Sequence, residues 1–282
     1  MKENKTASSL QIIEERMEAI QALRPIDDLC GSVFFQDVIC TQILLREVMA
    51  KPGMEIRETA PQSVVRNIFG RGGQLDVLAF DAESGAYNLE FQREKKGAVL
   101  DRAFFNYALL ARHLVDKGTD FENFPYTGVV FVQEDDFFHA NQPVTNVRFV
   151  LDSNPPVSMK SKLNVVYVNT NVKDNTTMLG KILHDLRCAS PKEMLVPELA
   201  ERMNQVKNPK GKEMEFMCEL LEEVRRSSEQ KGRMEMARKG AASMFFFGSS
   251  YDCVHDAFGE MLDKEELLQI QREAKKDIER YR

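Results

Sequence analysis

The most informative segment of the sequence is residues 74–92, which read QLDVLAFDAESGAYNLEFQ. Apolar side chains recur at every second position of residues 74–80, and the same period of two runs through residues 86–92, which is typical of β-strands. The five residues between them, 81–85, are of types that favour turns. We therefore predict that the two strands form an antiparallel hairpin.

The length of this loop sets the register of the strands, because it pairs Phe80 with Ala86 and therefore Asp76 with Glu90. Directly opposed residues share a face of the sheet, with Cβ atoms about 5 Å apart. Two carboxylates at that distance repel each other unless a cation binds between them, and Mg²⁺ binds carboxylate oxygens at about 2.0–2.1 Å. Gln92 points to the same side and could hydrogen-bond a water. The alternative is that Asp76 pairs locally and that Glu90 and Gln92 lie on an ordinary solvent-facing strand.

The remaining sequence predicts helices and further strands around this hairpin. We predict helices over residues 7–23, 28–49 and 100–117, strands over 54–59, 127–133, 146–151 and 163–169, and an irregular connection over 63–73. After about residue 175 the pattern is helical only. This order predicts an α/β or α+β domain, with an N-terminal helix (1–24), a core (25–175) and a helical C-terminal region (176–282).

Composition excludes several classes of protein. The chain has 282 residues, of which 43% are hydrophobic and 29% charged, an ordinary balance for a globular protein that buries a core without disulfides. Its five cysteines include no Cys-x-x-Cys pair, which favours a reducing cytoplasm. The longest uncharged apolar run, Ala241–Phe247, is too short to span a bilayer. We therefore expect a cytoplasmic protein and not a secreted, membrane-embedded or disulfide-framework protein.

The net charge of −6 does not by itself indicate a nucleic-acid-binding protein. Residues 91–117, however, carry six Lys and Arg against three acids. Such a local patch could contact phosphates, because charges beyond about 10 Å are screened by salt. A solvated helix face is the simpler interpretation of the same residues.

Two segments of the hairpin, Leu75–Ala79 and Tyr87–Gln92, resemble the core motif of the PD-(D/E)XK nuclease superfamily. More narrowly, they are similar to the bacterial recombination-promoting nucleases and putative transposases, in which Gln replaces the usual Lys of the E-x-K motif. Further similarity follows in the family's order along residues 24–210. It is carried by Arg102, Tyr107, Gly118, Tyr126, Gly128–Val132, Val166–Asn169, Leu183–Leu186, Glu193 and Met194.

This resemblance implies a restriction-endonuclease-like α/β fold, in which a mixed sheet is flanked by helices and followed by an all-helical C-terminal region. It also implies an endonuclease that hydrolyses phosphodiester bonds in DNA and is associated with DNA recombination or transposition. The implied cofactor is Mg²⁺, with Mn²⁺ as an alternative ion.

The resemblance assigns roles to individual residues. The metal ligands would be two carboxylates and one backbone carbonyl, those of Asp76, Glu90 and Phe91. Gln92 would take the place of the Lys, where an amide orients the attacking water but does not neutralise charge. An acid on the second predicted helix often completes such a site, and Asp37 and Glu47 are both candidates.

Contacts to DNA would come from the helix that follows the hairpin and from the loop between the hairpin and that helix. The candidates are Arg102, Tyr107, Lys95 and Lys96. In the alternative interpretation Tyr107 belongs to the core stripe of its helix, and Arg102 pairs with Asp101 or with a site carboxylate. The two lysines would then merely solvate a turn.

Other functions and partners remain open at this point. A catalytically inactive protein of the same fold could bind DNA or a protein partner, and a scaffold protein would need the hairpin carboxylates to be incidental. The helical C-terminal region has nearly balanced charge, which favours packing or homo-oligomerisation over a DNA contact. The four histidines, including His184, show no zinc-type spacing to one another or to cysteine.

Overall fold

The computed structural model describes residues 16–65, 73–93, 99–115 and 118–280, and the chain divides into two compact units after Gly211. The first unit contains a six-stranded mixed sheet flanked by helices, which confirms the predicted α/β fold class. The second unit is helical.

The predicted hairpin lies inside the sheet of the first unit. The strands of this sheet are β1 Ile56–Val65, β2 Gly73–Asp81, β3 Ala86–Gln92, β4 Thr127–Gln133, β5 Val144–Val147 and β8 Leu163–Asn169, in the spatial order β1-β2-β3-β4-β8-β5. β3, β4 and β8 are parallel, and the other neighbouring strands are antiparallel. Two short strands, β6 Phe149–Leu151 and β7 Val157–Met159, form a separate pair.

Helices cover both faces of this sheet. In the described part of the first unit they are residues 16–22 (α1), α2 Asp28–Phe34, α3 Val38–Val48, α4 Leu100–Leu114, α5 Met178–Asp185 and α6 Pro197–Lys207. On one face, Ala103 of α4 packs in a cluster with Phe131 and Tyr167. On the other, Phe91 stacks on Phe35 with ring centroids 5.2 Å apart. A Cβ atom at Gly31 would lie 2.6 Å from the Phe91 ring, so glycine permits this close approach of α2.

The prediction of one helix over residues 28–49 is wrong, because the structure has two helices, α2 and α3, at an angle of 107°. The break has a local cause. The side chain of Asp37 accepts the backbone N–H of Cys40 at 2.8 Å and caps the start of α3. The Thr41 hydroxyl donates to the carbonyl of Phe35 at 2.7 Å, which satisfies a backbone group just after α2.

Several other element bounds also differ from prediction. β1 extends to Val65 instead of ending at residue 59, and the strand predicted over 146–151 is divided between β5 and β6. α4 ends at Leu114. The rest of the predicted irregular connection, residues 66–72, lies outside the described residues.

The core unit extends past residue 175 to Gly211, because α5 and α6 pack with α2 and α3. The backbone N–H of Ile26 donates to the carbonyl of Leu186 at 2.9 Å. Arg202 of α6 donates to the carbonyl of Val33 at 2.8 Å. These helices therefore belong to the α/β unit and not to a separate helical region.

The second unit consists, in its described residues, of α7 Lys212–Phe246, α8 Tyr251–Phe258 and α9 Lys264–Arg280. Its core is a small apolar cluster of Ala237, Ala241, Phe245, Val254, Leu262, Leu267 and Ala274. Taken one at a time, none of the helices in the described ranges is long and apolar enough to cross a membrane; the bent pair α2–α3 meets the length and composition criteria together.

One buried lysine offers a test of how the first unit is assembled. Lys207 is 2% exposed, and its Nζ donates to the carbonyls of Ile20, Gln21 and Leu23 at 2.8, 2.7 and 2.6 Å. It thereby caps the end of α1. Lys207→Met would leave these carbonyls without their donor, and an unsatisfied buried polar group costs about 1–3 kcal/mol. We expect a loss of about 2–4 kcal/mol in unfolding free energy, measured by urea denaturation.

The matched control is Lys210→Met, because Lys210 is exposed and lies in the same segment. Its urea midpoint should stay within experimental error of the wild type. Equal midpoints for the two variants would contradict the capping role of Lys207.

Candidate active site

The register of the hairpin brings Asp76 and Glu90 together. The β2–β3 pairs run from Phe80–Ala86 to Val77–Leu89, which confirms the predicted register, and one further step places Asp76 beside Glu90. The backbone N–H of Phe91 donates to Oδ2 of Asp76 at 3.2 Å. Phe91 thus borders the carboxylate pair through its backbone, while its side chain is buried on the opposite face.

Glu90 is fully buried and has two side-chain partners. Nη2 of Arg102 donates to its Oε2 at 2.7 Å, and Nδ2 of Asn88 donates to its Oε1 at 2.9 Å. Asn88 and Glu90 share the face of β3 that is covered by α4, because they are two residues apart on a strand. The Glu90 carboxylate is therefore held in one orientation.

Arg102 bridges two of the predicted site residues. Besides Glu90, it donates from Nη1 to Oε1 of Gln92 at 3.0 Å, and its guanidinium lies 5.9 Å from the ring centroid of Phe131. This geometry shows the pairing with a site carboxylate that the alternative interpretation predicts, and a contact of Arg102 with DNA stays a prediction. Gln92 therefore faces the same side as Glu90, as the strand period predicts.

Burial and mutual repulsion disfavour the charged form of this pair. Desolvation, and then the charge of Glu90, raise the pKa of Asp76 well above its usual value. Desolvation also raises the pKa of Glu90, against the opposing effect of Arg102. At neutral pH the site therefore favours one of two partners, a proton or a further cation.

The structure adds an acid that sequence analysis missed, Asp28 in the first turn of α2. Its charge contributes to the raised pKa of Asp76. Desolvation raises the pKa of Asp28 itself, and Arg102 opposes this shift. In the described part of the chain, Asp28 does not come close enough to Asp76 and Glu90 to complete a compact set of three ligands.

The two predicted helix acids lie at opposite ends of α3, and their role at the site stays a prediction. The Asp37 carboxylate caps α3, and Glu47 lies near the other end of that helix. The charges that act on Asp76 include those of Glu90, Asp28 and Arg102. Asp28 was overlooked because an acid in the first turn of a helix is also what the helix dipole favours.

An ion network holds the start of α2 against the ends of β3 and β4. Arg24 donates to both carboxylate oxygens of Glu134, at 2.7 and 3.1 Å, and contacts Asp27 at 3.2 Å. Arg93 contacts Asp27 at 3.1 Å and Glu134 at 3.2 Å. The hydrogen bond from Arg24 lowers the pKa of Glu134. This network, which we call the α2 clamp, fixes the segment that carries Asp28.

Of the other predicted DNA contacts, the structure describes only Tyr107. Tyr107 is half-buried and packs against the cluster around Phe131, as in the alternative interpretation of its helix. Lys95 and Lys96 lie outside the described residues. Their roles in DNA binding stay predictions.

No family model, curated protein or solved structure matches this chain. The assignment of the site therefore rests on the residues and their geometry. Those residues are a carboxylate pair on adjacent strands, an amide two positions along, a bridging arginine and a nearby helix acid.

The raised pKa of Asp76 predicts that its carboxylate destabilises the metal-free protein at high pH. The unfolded state loses this proton first as pH rises, so unfolding free energy falls until the folded-state pKa is passed. Asp76→Asn removes this loss and keeps an acceptor for the N–H of Phe91. In chelator at pH 8 we expect the variant to melt about 2–4 °C higher than wild type, the equivalent of about 1 kcal/mol.

At pH 4, where the folded wild type carries the proton, the two melting temperatures should converge. Glu83→Gln is the control, because Glu83 is exposed in the loop of the same hairpin. A lower melting temperature for Asp76→Asn than for wild type at pH 8 would contradict the prediction that the charged Asp76 carboxylate destabilises the folded protein.

Proposed function

We propose that this chain is a Mg²⁺-dependent DNA endonuclease that acts in recombination or transposition, in the cytoplasm. The observation that carries the proposal is the pair Asp76 and Glu90. The two residues lie on adjacent strands, the pKa of each is raised, and Glu90 is fully buried. A carboxylate pair of this kind is costly to the fold, which supports a functional role.

The donor set fits a hard divalent cation. Carboxylate oxygens are the ligands that Mg²⁺ prefers, and it keeps its remaining positions for water and phosphate oxygens. Asp76 and Glu90 would hold the ion, and Asp28 would add negative charge from the start of α2. When bound, such an ion lowers the pKa of a coordinated water and offsets charge on the scissile phosphate.

The protein's own residues supply the remaining functions. Gln92 can orient the attacking water by hydrogen bonds, although an amide does not neutralise charge or accept a proton at neutral pH. Arg102 holds Glu90 in position before a cation binds. With the cation present, its guanidinium can turn to a phosphate oxygen, which it recognises through paired N–H donors.

Arg102 also favours a second candidate function. It already places a positive charge 2.7 Å from Glu90 and hydrogen-bonds Gln92. A guanidinium in that position could replace the metal ion permanently. The chain would then be a catalytically inactive protein of nuclease fold that binds DNA or a protein partner.

Two measurements on the purified full chain separate these functions. Supercoiled plasmid is incubated with the protein in Mg²⁺, in Mn²⁺ and in chelator, and melting temperature is measured under the same conditions. The endonuclease should nick the plasmid with metal only, and the metal should raise the melting temperature because it binds the folded state. Absence of both nicking and thermal stabilisation would favour the inactive, binding-only protein.

A further inference from the structure

A second cluster of potential ligands lies at the end of α5, formed by His184, Asp185 and Cys188. Nδ1 of His184 is 3.0 Å from Oδ1 of Asp185 and 3.5 Å from Sγ of Cys188. Asp185 is fully buried and Cys188 is 9% exposed, whereas the His184 side chain is 35% exposed. The prediction that His184 has no cysteine at metal-binding spacing is therefore wrong. Residues 184 and 188 meet because the chain turns at the end of the helix.

The Asp185 carboxylate is fixed by the backbone that precedes α6. Its Oδ1 accepts the N–H of Leu195 at 2.7 Å, and its Oδ2 accepts the N–H of Val196 at 2.8 Å. A carboxylate oxygen has two acceptor positions. Oδ1 therefore keeps one position directed to His184, where a cation could take the place of the imidazole proton.

The nitrogen–sulfur separation already has the length expected in a tetrahedral metal site, and the imidazole has to turn before Nδ1 faces the ion, because Sγ of Cys188 also lies 3.9 Å from Nε2. Bonds of about 2.0 Å to nitrogen and about 2.3 Å to sulfur, at a tetrahedral angle, place the two ligand atoms about 3.5 Å apart. The Nδ1 of His184 and the Sγ of Cys188 are 3.5 Å apart. The nitrogen–oxygen separation of 3.0 Å needs to open by only about 0.3 Å.

We propose that His184, Asp185 and Cys188 bind one transition-metal ion of the zinc class, with its fourth position open to a neighbouring cavity. This cavity measures about 320 Å³ and is also lined by Thr170, Lys173, Asn175 and Arg187. An open fourth position is typical of catalytic or ligand-binding zinc and not of closed structural sites. The basic residues at the cavity favour an anionic fourth ligand.

The ligand types select the class of metal. Imidazole and thiolate prefer zinc, cobalt or copper to Mg²⁺, which binds oxygen. The site is therefore distinct in residues and in chemistry from the carboxylate pair of the proposed nuclease, and it does not depend on that function.

A nucleophilic cysteine is the competing interpretation of the same cluster. Desolvation, with a contribution from Asp185, raises the pKa of the Cys188 thiol to about 11. A thiol in that state is neutral at physiological pH, and the neutral thiol is a poor nucleophile. Metal binding would instead displace the proton, since the thiolate is the ligand form.

The test is a titration of the purified full chain with Co²⁺, followed by competition with Zn²⁺. Bound cobalt should show a thiolate-to-metal charge-transfer band that saturates at one ion per chain, together with the visible spectrum of a four-coordinate ion. The same spectrum is expected for Cys253→Ser, which alters an exposed cysteine, and for Asp76→Asn, which alters the carboxylate pair.

Cys188→Ser should lose the thiolate band. His184→Gln should weaken cobalt binding by more than the ~10–100-fold that follows loss of a residue that only hydrogen-bonds a metal ligand. Because the His184 side chain is partly exposed, His184→Gln should fold even if Cys188→Ser does not, and the test then remains valid. Far-ultraviolet circular dichroism checks the folding of both variants. A wild type without the thiolate band, a band that survives in folded Cys188→Ser, or unchanged affinity in His184→Gln would overturn the proposal.

Discussion

Asp76→Asn is expected to lower the rate of metal-dependent plasmid nicking by about 10³-fold or more. The substitution removes one of the two carboxylates that would hold the ion, and a catalytic metal stabilises charge in the transition state by several kcal/mol. Each 1.4 kcal/mol or so corresponds to a factor of ten in rate. The measurement is the initial rate of conversion of supercoiled to open-circular DNA in Mg²⁺, with wild type and variant at equal concentration.

Two further variants make this result specific. Glu83→Gln changes an exposed acid on the loop of the same hairpin and should nick at the wild-type rate. Asp28→Asn should lower the nicking rate by about 10-fold relative to wild type, less than Asp76→Asn does, because Asp28 acts on Asp76 through its charge. Equal nicking by wild type and Asp76→Asn would remove Asp76 from the active site.

Arg102→Leu is expected to destabilise the first unit by about 2–3 kcal/mol at pH 8. The variant leaves Glu90 buried without its cation, and breaking a buried ion pair from one side costs about 3–5 kcal/mol. We expect a loss smaller than this range because the Arg102 side chain is 38% exposed and water screens part of the interaction. Urea denaturation monitored by far-ultraviolet circular dichroism gives the unfolding free energy.

The pH dependence identifies the cause of this loss. Without Arg102 the pKa of Glu90 rises further, so a protonated Glu90 removes the unpaired charge at low pH. The deficit should therefore shrink at pH 5 and grow toward pH 8. Arg112→Leu, at an exposed position of the same helix, should cost less than about 0.5 kcal/mol at either pH. A deficit for Arg102→Leu that does not vary with pH would point to lost packing instead.

The hairpin and the central strands could be predicted because their information is local. Alternation and turn residues define β3 at Ala86–Gln92, and the runs of Val, Phe and Tyr define β4 and β8. The opposition of Asp76 and Glu90 follows from the loop length alone. The two carboxylates of the site could therefore be predicted from the sequence.

The features that could not be predicted depend on three-dimensional context. Asp37 breaks the predicted helix because its side chain caps α3, although the same residue type is tolerated inside helices. Asp28 joins the site only because α2 is docked at the end of the sheet. His184 and Cys188 meet through a turn whose geometry the spacing does not specify. In each case the local sequence allows two roles for the same residue, and a contact formed only in the folded structure determines which role it has.

The ion pairs of the α2 clamp should make the activity of the proposed nuclease sensitive to salt in a second way, in addition to the screening of phosphate contacts. Its charges come from three distant parts of the chain and are partly exposed, with Arg93 at 53% and Glu134 at 22%. Ions that compete for phosphate contacts will also weaken the pairs that hold Asp28 in place, since screening shortens from about 10 Å at 0.1 M to about 3 Å at 1 M. For the proposed nuclease, the steepness of salt inhibition will therefore exceed the number of phosphates contacted, and Arg93→Met, which removes two of the clamp's ion pairs, should reduce that excess.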